Sequence, residues 1–544
     1  MGKKANVLIL FSDQQRYDTI NYAGYSHMIT PNLDRLASGG CTYINAHSTN
    51  PVCMPARHDL LTGLPGRAHG YYGNHDVPIR DYGLPTLPRI FSENGYRTAA
   101  VGKMHFYPAR VHHGYNEMFL MEELPVNRQD DQYATWLEKE GLGNIQNLHG
   151  VRPHVYHVPQ TAQTDERHHG STWVADKTIE WLEGNKDKPF FLFASWIHPH
   201  PPWNIPQEIK GIYKDRELPD PIPRSRCCLD CQDKDEWFGD NETEEEIRKI
   251  REAYYTAVTL VDKNIGRVLD YLDKKRILDD TLVIFASDHG EMLKDKGYYS
   301  KATAYDGSVR IPFIIRYPEK FGKGELKNEF VDLFDIMPTC LEVCGLKYNG
   351  NKYQLIGGSL CSDNPIRDRT IQISSFGAGD RRWVMCRNQR YKYIYHYNQG
   401  IEELYEMLED PGELNNLIRT GTYPYEVYIQ LKKNAIEYEK SWGPEGSIKD
   451  NDFFVIPGMQ FGNTGSENNK FHFWANMQMQ YFDERSNNER GEEFIKEIEH
   501  ALSDHDLSVV GLDEVMNDDE WKQNFMENWR RFGDGGEICK KLFK

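Results

Sequence analysis

Short apolar runs rich in β-branched and aromatic residues alternate with longer stretches of helical amphipathic period from the N-terminus to about residue 345. That is the pattern of an α/β domain with a large, mostly parallel sheet flanked by helices. The runs at residues 7–11, 98–101, 190–194, 281–286 and 311–316 predict strands, and residues 32–38, 87–94, 172–183, 244–274 and 333–344 predict helices. The connections are long enough for crossovers between parallel strands. After Gly357-Gly358 the pattern changes: residues 370–373, 382–387 and 391–396 read as successive strands of an antiparallel meander, followed by a helix near 425–438. The expected division is a large α/β domain at 1–365 and a smaller C-terminal α+β subdomain at 366–441 with an antiparallel sheet. Residues 442–544 would then be an aromatic-rich, acidic extension that packs on the body, covers the site or makes an oligomer contact.

Composition narrows the possibilities. The chain has 544 residues, 39% of them hydrophobic, enough to bury a sizeable core. Its 64 Lys and Arg against 82 Asp and Glu leave a net charge of −18, which disfavours a nucleic-acid partner, since binders of a phosphate backbone need a basic face. No apolar run approaches the roughly 20 residues of a membrane span. The apolar run at 7–11 is too short for a signal-peptide core, and Asn6 stands where a myristoylation signal wants Ser or Thr, so the expectation is a cytoplasmic protein without a membrane anchor. Ten cysteines at irregular spacing do not make a disulfide scaffold. Cys227, Cys228 and Cys231 have no fourth ligand at finger spacing and read as reduced loop thiols, and Cys340 and Cys344 read as core.

Ligands of open α/β sheets bind beyond the carboxyl ends of the strands. Here those positions carry Asp13 and Gln14, Lys103 and His105, His198 and His200, and Asp288 and His289. Asp13, Gln14, Asp288 and His289 form an oxygen-rich set with one nitrogen, suited to a hard divalent cation rather than structural zinc. Lys103, His105, His200, Arg57 and Lys301 add positive charge, which suits a tetrahedral oxyanion such as sulfate or phosphate.

The segment Cys53-Met54-Pro55-Ala56-Arg57, followed by Thr62-Gly63, resembles the signature of the sulfatase family. A second signature matches at Gly95-Tyr96-Arg97-Thr98-Ala99-Ala100-Val101-Gly102-Lys103-Met104-His105, with further matches at Thr30-Pro31-Asn32-Leu33-Asp34, His198-Pro199-His200-Pro201-Pro202 and Ser287-Asp288-His289-Gly290. The resemblance runs from about residue 5 to about 418. It implies an alkaline phosphatase-like fold and a sulfuric ester hydrolase whose Cys53 is oxidised by a formylglycine-generating maturase to formylglycine. The aldehyde hydrate would be the nucleophile, and its second hydroxyl would expel sulfate.

By the same resemblance, Asp13, Gln14, Cys53, Asp288 and His289 hold one divalent metal, Ca²⁺ first and Mn²⁺ or Mg²⁺ as alternatives. Arg57 and Lys103 would hold the hydrate and its charge, and His105 would assist elimination. His200 and Lys301 would meet the sulfate and the leaving oxygen, and Asn74 and His198 would line the substrate pocket. Gln14 and His289 stand where many calcium sulfatases carry Asp and Asn. This resembles the choline-sulfatase-like and phosphonate monoester hydrolase-like branch and keeps Mn²⁺ and a phosphonate monoester or phosphodiester hydrolase in play. A non-catalytic scaffold would be expected to have lost Cys53, Arg57, Asp13 or Asp288, and all four are present. The expected substrate is a small sulfated sugar, aryl or choline ester, with Trp203, Tyr107, Trp383 and Arg381 as candidate subsite residues. The extension from Trp442 is the first candidate for a homo-oligomer contact.

Overall fold

The computed structural model describes residues 4–74, 83–125, 128–152, 156–224, 242–350, 352–361 and 369–457, together with 496–497, 500–501 and 503. Cys227, Cys228, Cys231, His75 and most of the extension lie outside the described residues. The strands are β1 (Asn6–Asp13), β2 (Cys41–His47), β3 (Arg97–Gly102), β4 (Glu117–Leu120), β5 (Gln160–Thr161), β6 (Phe190–Pro199), β7 (Asn204–Ile205), β8 (Thr281–Ser287), β9 (Phe313–Arg316) and β10 (Glu325–Asp332). A second set follows: β11 (Gln372–Phe376), β12 (Trp383–Arg387), β13 (Tyr391–His396) and β14 (Ile401–Glu406).

Eight strands form the main sheet in the order β10-β2-β9-β8-β1-β6-β3-β4. β8, β1, β6, β3 and β4 are mutually parallel, and β10 is parallel to β2. β9, expected among the parallel strands, runs antiparallel to both β2 and β8. β1 lies at the centre and every residue of it is buried, because both faces are covered. Its alternation feeds two core layers. Val7, Ile9 and Phe11 pack with the helices Cys53–Thr62, Leu87–Glu93 and Ile336–Val343, while Leu8 and Leu10 pack with Gly170–Asn185 and Glu244–Lys274. The last of these starts at a capping box: Thr243 accepts from the Glu246 N–H and the Glu246 carboxylate accepts from the Thr243 N–H.

β2, β4, β10 and β14 carry no strong strand signal. β10 explains why: five of its eight residues are charged or amide-bearing, as suits an edge strand with its outer end exposed. The second sheet, β11-β12-β13-β14, is antiparallel throughout. One face packs on the helix Tyr425–Trp442 and the other on Met292, Tyr298, Tyr305 and Val309 of the main body. Beneath that contact Asp306 is buried among Lys392 at 2.9 Å, Arg310 at 3.1 Å and Arg387 at 3.2 Å. Among the described residues no helix is long and apolar enough to cross a membrane.

Candidate active site

Four neighbouring parallel strands, β8, β1, β6 and β3, bring their carboxyl ends to one edge. Asp13 ends β1, Asp288 follows β8, Lys103 follows β3 and His200 follows β6. The turn into Lys103 demands glycine: Gly102 has φ +93°, and a Cβ there would lie 1.9 Å from the Ser195 carbonyl oxygen.

Cys53 opens the helix Cys53–Thr62, all of whose residues are buried. Pro55 fits in the first turn because that position has no helical acceptor to meet. Arg57, one turn after Cys53, shares its face. The Thr62-Gly63 pair ends the helix: Thr62 Oγ1 donates to the His58 carbonyl at 2.8 Å, and Gly63, at φ +68°, donates to the Asp59 carbonyl at 2.8 Å. Both sequence signatures thus contain the residues that shape the backbone as well as those that face the site.

Arg57 joins the two carboxylates. Its Nη2 lies 2.9 Å from Asp13 Oδ2 and its Nε 3.0 Å from Asp288 Oδ2, while Nη1 donates to the Lys103 carbonyl and to Ser195 Oγ. Lys103 Nζ pairs with Asp13 Oδ2 at 2.7 Å and with Glu123. The remaining oxygens, Asp13 Oδ1 and Asp288 Oδ1, lie 3.8 and 3.7 Å from His289 Nε2. That nitrogen is 3.2 Å from Cys53 Sγ, and His289 Nδ1 is 2.9 Å from the Gly290 carbonyl. With Nδ1–H given to the carbonyl, Nε2 presents a lone pair to the same point as the two Oδ1 atoms. The donor atoms of Asp13, Cys53, Asp288 and His289 all lie within 4.8 Å of one another, a group that could hold a metal ion.

The electrostatics fit a cation at that point. Burial works against a charge on His289, yet Asp288 and Cys53 outweigh it and raise its pKa, so the site favours positive charge at Nε2. Burial and the Cys53 thiolate would raise Asp13, but Lys103, His200 and Arg57 bring it well below the usual carboxylate range. Asp288 is raised by burial and by Asp13 beside it. Burial alone would raise the Cys53 thiol; Lys103, Lys301 and His289, helped by His105, hold it well below its ordinary value.

On the far side, Lys301 Nζ lies 2.8 Å from His200 Nε2 and donates to Gln14 Oε1. His200 Nδ1 is 2.6 Å from the Pro201 carbonyl, which leaves Nε2 to accept from the ammonium. Burial takes the His200 pKa down to about 4, despite Glu123 nearby. Gln14, at φ 62°, accepts from Lys301 through Oε1, donates Nε2 to Glu291, and donates its backbone N–H to Asp288 Oδ1 at 3.0 Å. His105 has its N–H held by Glu122, while its Nδ1 is buried without a hydrogen-bond partner among the described residues.

Two of the expected pocket residues are engaged elsewhere. Asn74 Oδ1 accepts the Met54 N–H at 2.9 Å and so fixes the first turn of the helix that carries Cys53. His198 has its ring nitrogens at Ser171 Oγ and Asn204 Oδ1 and stacks on His169, with ring centroids 4.9 Å apart. Trp203 and Trp383, candidates for a subsite, are instead packing groups. Each is buried with its indole N–H on a carbonyl, that of Pro199 and of Ala302 respectively. Sequence reading missed Glu123, which binds Lys103, Ser195, which binds Arg57, and Glu291, which binds Gln14. Glu123 follows the four-residue strand β4, too short to stand out.

A sequence model of the Sulfatase family matches residues 5–346. The chain is 30% identical over 452 residues to an arylsulfatase of Clostridium perfringens, covering 77% of this chain and 91% of that protein. It is 27% identical over 447 residues to a choline-sulfatase of Rhizobium meliloti, covering 77% of this chain and 84% of that one. Among solved structures, the phosphonate monoester hydrolase of Agrobacterium radiobacter shares the fold with a TM-score of 0.68 at 24% identity, over 80% of this chain and 96% of that one.

Proposed function

The chain belongs to the sulfatase family, and from that premise we propose that it hydrolyses a small sulfate monoester to an alcohol and inorganic sulfate at residue 53. The observation that carries this reading is the convergence on Cys53 of two carboxylates and an imidazole from the ends of the adjacent strands β1 and β8, ringed by the cations Arg57, Lys103 and Lys301. Converted to formylglycine, residue 53 supplies a pair of hydroxyls on one carbon, one to take the sulfuryl group and one to expel it without water attacking sulfur. Asp13, Asp288, His289 and residue 53, with Gln14 alongside, would hold a divalent ion that supplies Lewis acidity toward the sulfate oxygens. Ca²⁺ suits the carboxylates, and the imidazole of His289 makes Mn²⁺ the second choice.

The protein groups divide the remaining tasks by position. Arg57 orients both carboxylates through their Oδ2 atoms and so keeps both Oδ1 atoms turned toward His289. Lys103, with Nζ 4.0 Å from Cys53 Sγ, stabilises negative charge at residue 53. His105, whose side chain hydrogen-bonds that of Cys53, would take a proton from residue 53. His200 and Lys301 share a proton across 2.8 Å, and that proton serves the leaving oxygen. Full burial of the nucleophile and the net charge of −18 both favour a small ester over a long polyanion. A paired assay tests the reading: kcat/KM for an aryl sulfate should exceed that for the matching aryl phosphonate monoester. The reverse order would assign the same residues to a phosphonate monoester or phosphodiester hydrolase.

A further inference from the structure

In the stretches 146–152 and 156–163, Arg152 and Tyr156 meet the catalytic group, and the outer ends of both stretches meet the C-terminal extension. Arg152 Nη2 lies 2.7 Å from Glu123 Oε1, on the carboxylate that also pairs with Lys103 and stands 3.6 Å from His200 Nε2. The Tyr156 ring lies 6.2 Å from that of His200, and His157 stacks on Tyr299 at 5.0 Å. At the first end, the Glu497 carboxylate accepts from the Gln146 N–H at 2.7 Å, the Asn147 N–H at 3.0 Å and Asn147 Nδ2 at 2.6 Å. At the other end, Gln163 Nε2 donates to the Glu497 carbonyl at 2.9 Å, and a His500 ring nitrogen lies 3.1 Å from the Ala162 carbonyl. Gln160 ties the two stretches together by accepting from the Val151 N–H and donating to its carbonyl. Glu497 is only 4% exposed, in a part of the chain beyond the family match that ends at residue 346.

We infer that Glu497, assisted by His500, is a positioning residue for the active site: it staples the outer ends of the stretches 146–152 and 156–163 and thereby holds Arg152 and Tyr156 against Glu123 and His200. A buried carboxylate that accepts three N–H groups from two adjacent residues is a strong local fastener, because hydrogen bonds to an ionised acceptor are stronger than neutral ones. Arg152 then fixes Glu123, and Glu123 fixes Lys103 on one side while facing His200 on the other. The extension thus takes part in building the substrate side of the site. It leaves the metal-facing atoms of Asp13, Asp288 and His289 to the strand ends. The activity arm of the test below rests on the sulfatase reading above; the exchange arm does not.

The test uses the full-length chain with Glu497→Ala, Glu497→Gln and Arg152→Ala. Hydrogen exchange followed by mass spectrometry should show peptides spanning 144–152 exchanging at least tenfold faster in Glu497→Ala, with β1 and β8 unchanged, and Glu497→Gln should fall between it and the parent. With an aryl sulfate, kcat should fall about five- to tenfold while KM stays within about threefold, and Glu497→Ala combined with Arg152→Ala should add little to either alone. Unchanged exchange at 144–152 would overturn the staple. A changed exchange with kcat unaffected, or with fully additive effects of the two substitutions, would overturn its positioning role. If Glu497→Ala does not fold, Glu497→Gln carries both readouts. A parent enzyme inactive on sulfate esters would refute the proposed function while the exchange result still decides the staple.

Discussion

His289 Nε2 stands 3.2 Å from Cys53 Sγ, with its other ring nitrogen committed to the Gly290 carbonyl at 2.9 Å. This orientation turns an imidazole lone pair toward the residue expected to carry the chemistry and toward both Asp13 and Asp288. An imidazole lone pair aimed into a group of two carboxylates and a cysteine sulfur is stabilised by a cation among them.

Metal binding should therefore be measurable as stability. After dialysis against a chelator, adding Ca²⁺ or Mn²⁺ at about one hundred times its Kd should stabilise the fold by about 2.7 kcal/mol, read as a rise in Tm. Asp288→Asn and His289→Ala should each abolish most of that rise. A Tm indifferent to divalent ions in the parent would contradict the metal assignment.

Arg57 neutralises two buried carboxylates at once. Arg57→Ala should cost about 3–5 kcal/mol in denaturant unfolding, the usual effect of stranding buried charge. Arg57→Lys retains charge but not the fork and should recover only part of it. A loss below about 1 kcal/mol in Arg57→Ala would contradict the bridging role.

Burial takes the pKa of His149 down to about 3 and that of His198 to about 4, from the ordinary 6.5. Between those values and 6.5 the unfolded chain binds protons that the folded chain does not, so stability falls as pH falls. Each histidine contributes a slope of about 1.4 kcal/mol per pH unit. Their contribution is fully present above pH 6.5 and is lost as pH drops through the folded values. Denaturant melts at pH 7, 6 and 5 should show a smaller loss for His149→Gln/His198→Gln than for the parent. Parallel pH dependence in the two proteins would contradict this.

Asp306 is the shared counter-ion of Arg310, Arg387 and Lys392 beneath the second sheet. Asp306→Asn should lower stability by about 3–5 kcal/mol, since Arg310 and Arg387 then face a neutral amide and Lys392 keeps only the Glu413 carboxylate at 2.6 Å. The accompanying signature is faster hydrogen exchange in β12 and β13 than in β1. Equal exchange in both sheets would mean that the ion cluster does not hold the second sheet to the body.

How much of this was legible in the sequence depended on burial. β1 and β8 are covered on both faces and read as unbroken apolar runs, and their parallel pairing brings the residues at their ends, Asp13 and Asp288, to a shared edge. The helix Glu244–Lys274 announced both its start and its period. β10 was hidden because an exposed edge strand is rich in charge, and β4 because it has four residues. Glu123 was lost with β4. The contact of Glu497 with Gln146 spans 351 positions, and no local pattern records such a pairing.

The proposed role of residue 53 as the converted nucleophile of a sulfate ester hydrolase meets its sharpest test in peptide mass spectrometry across Cys53 on protein co-expressed with a formylglycine-generating maturase, with aryl sulfate turnover measured on the same sample. The expected result is an aldehyde in place of the thiol, turnover that scales with the converted fraction, and a drop of at least about a thousandfold in Cys53→Ala. Turnover retained in Cys53→Ala, or a fully converted residue 53 without sulfate release, would contradict it.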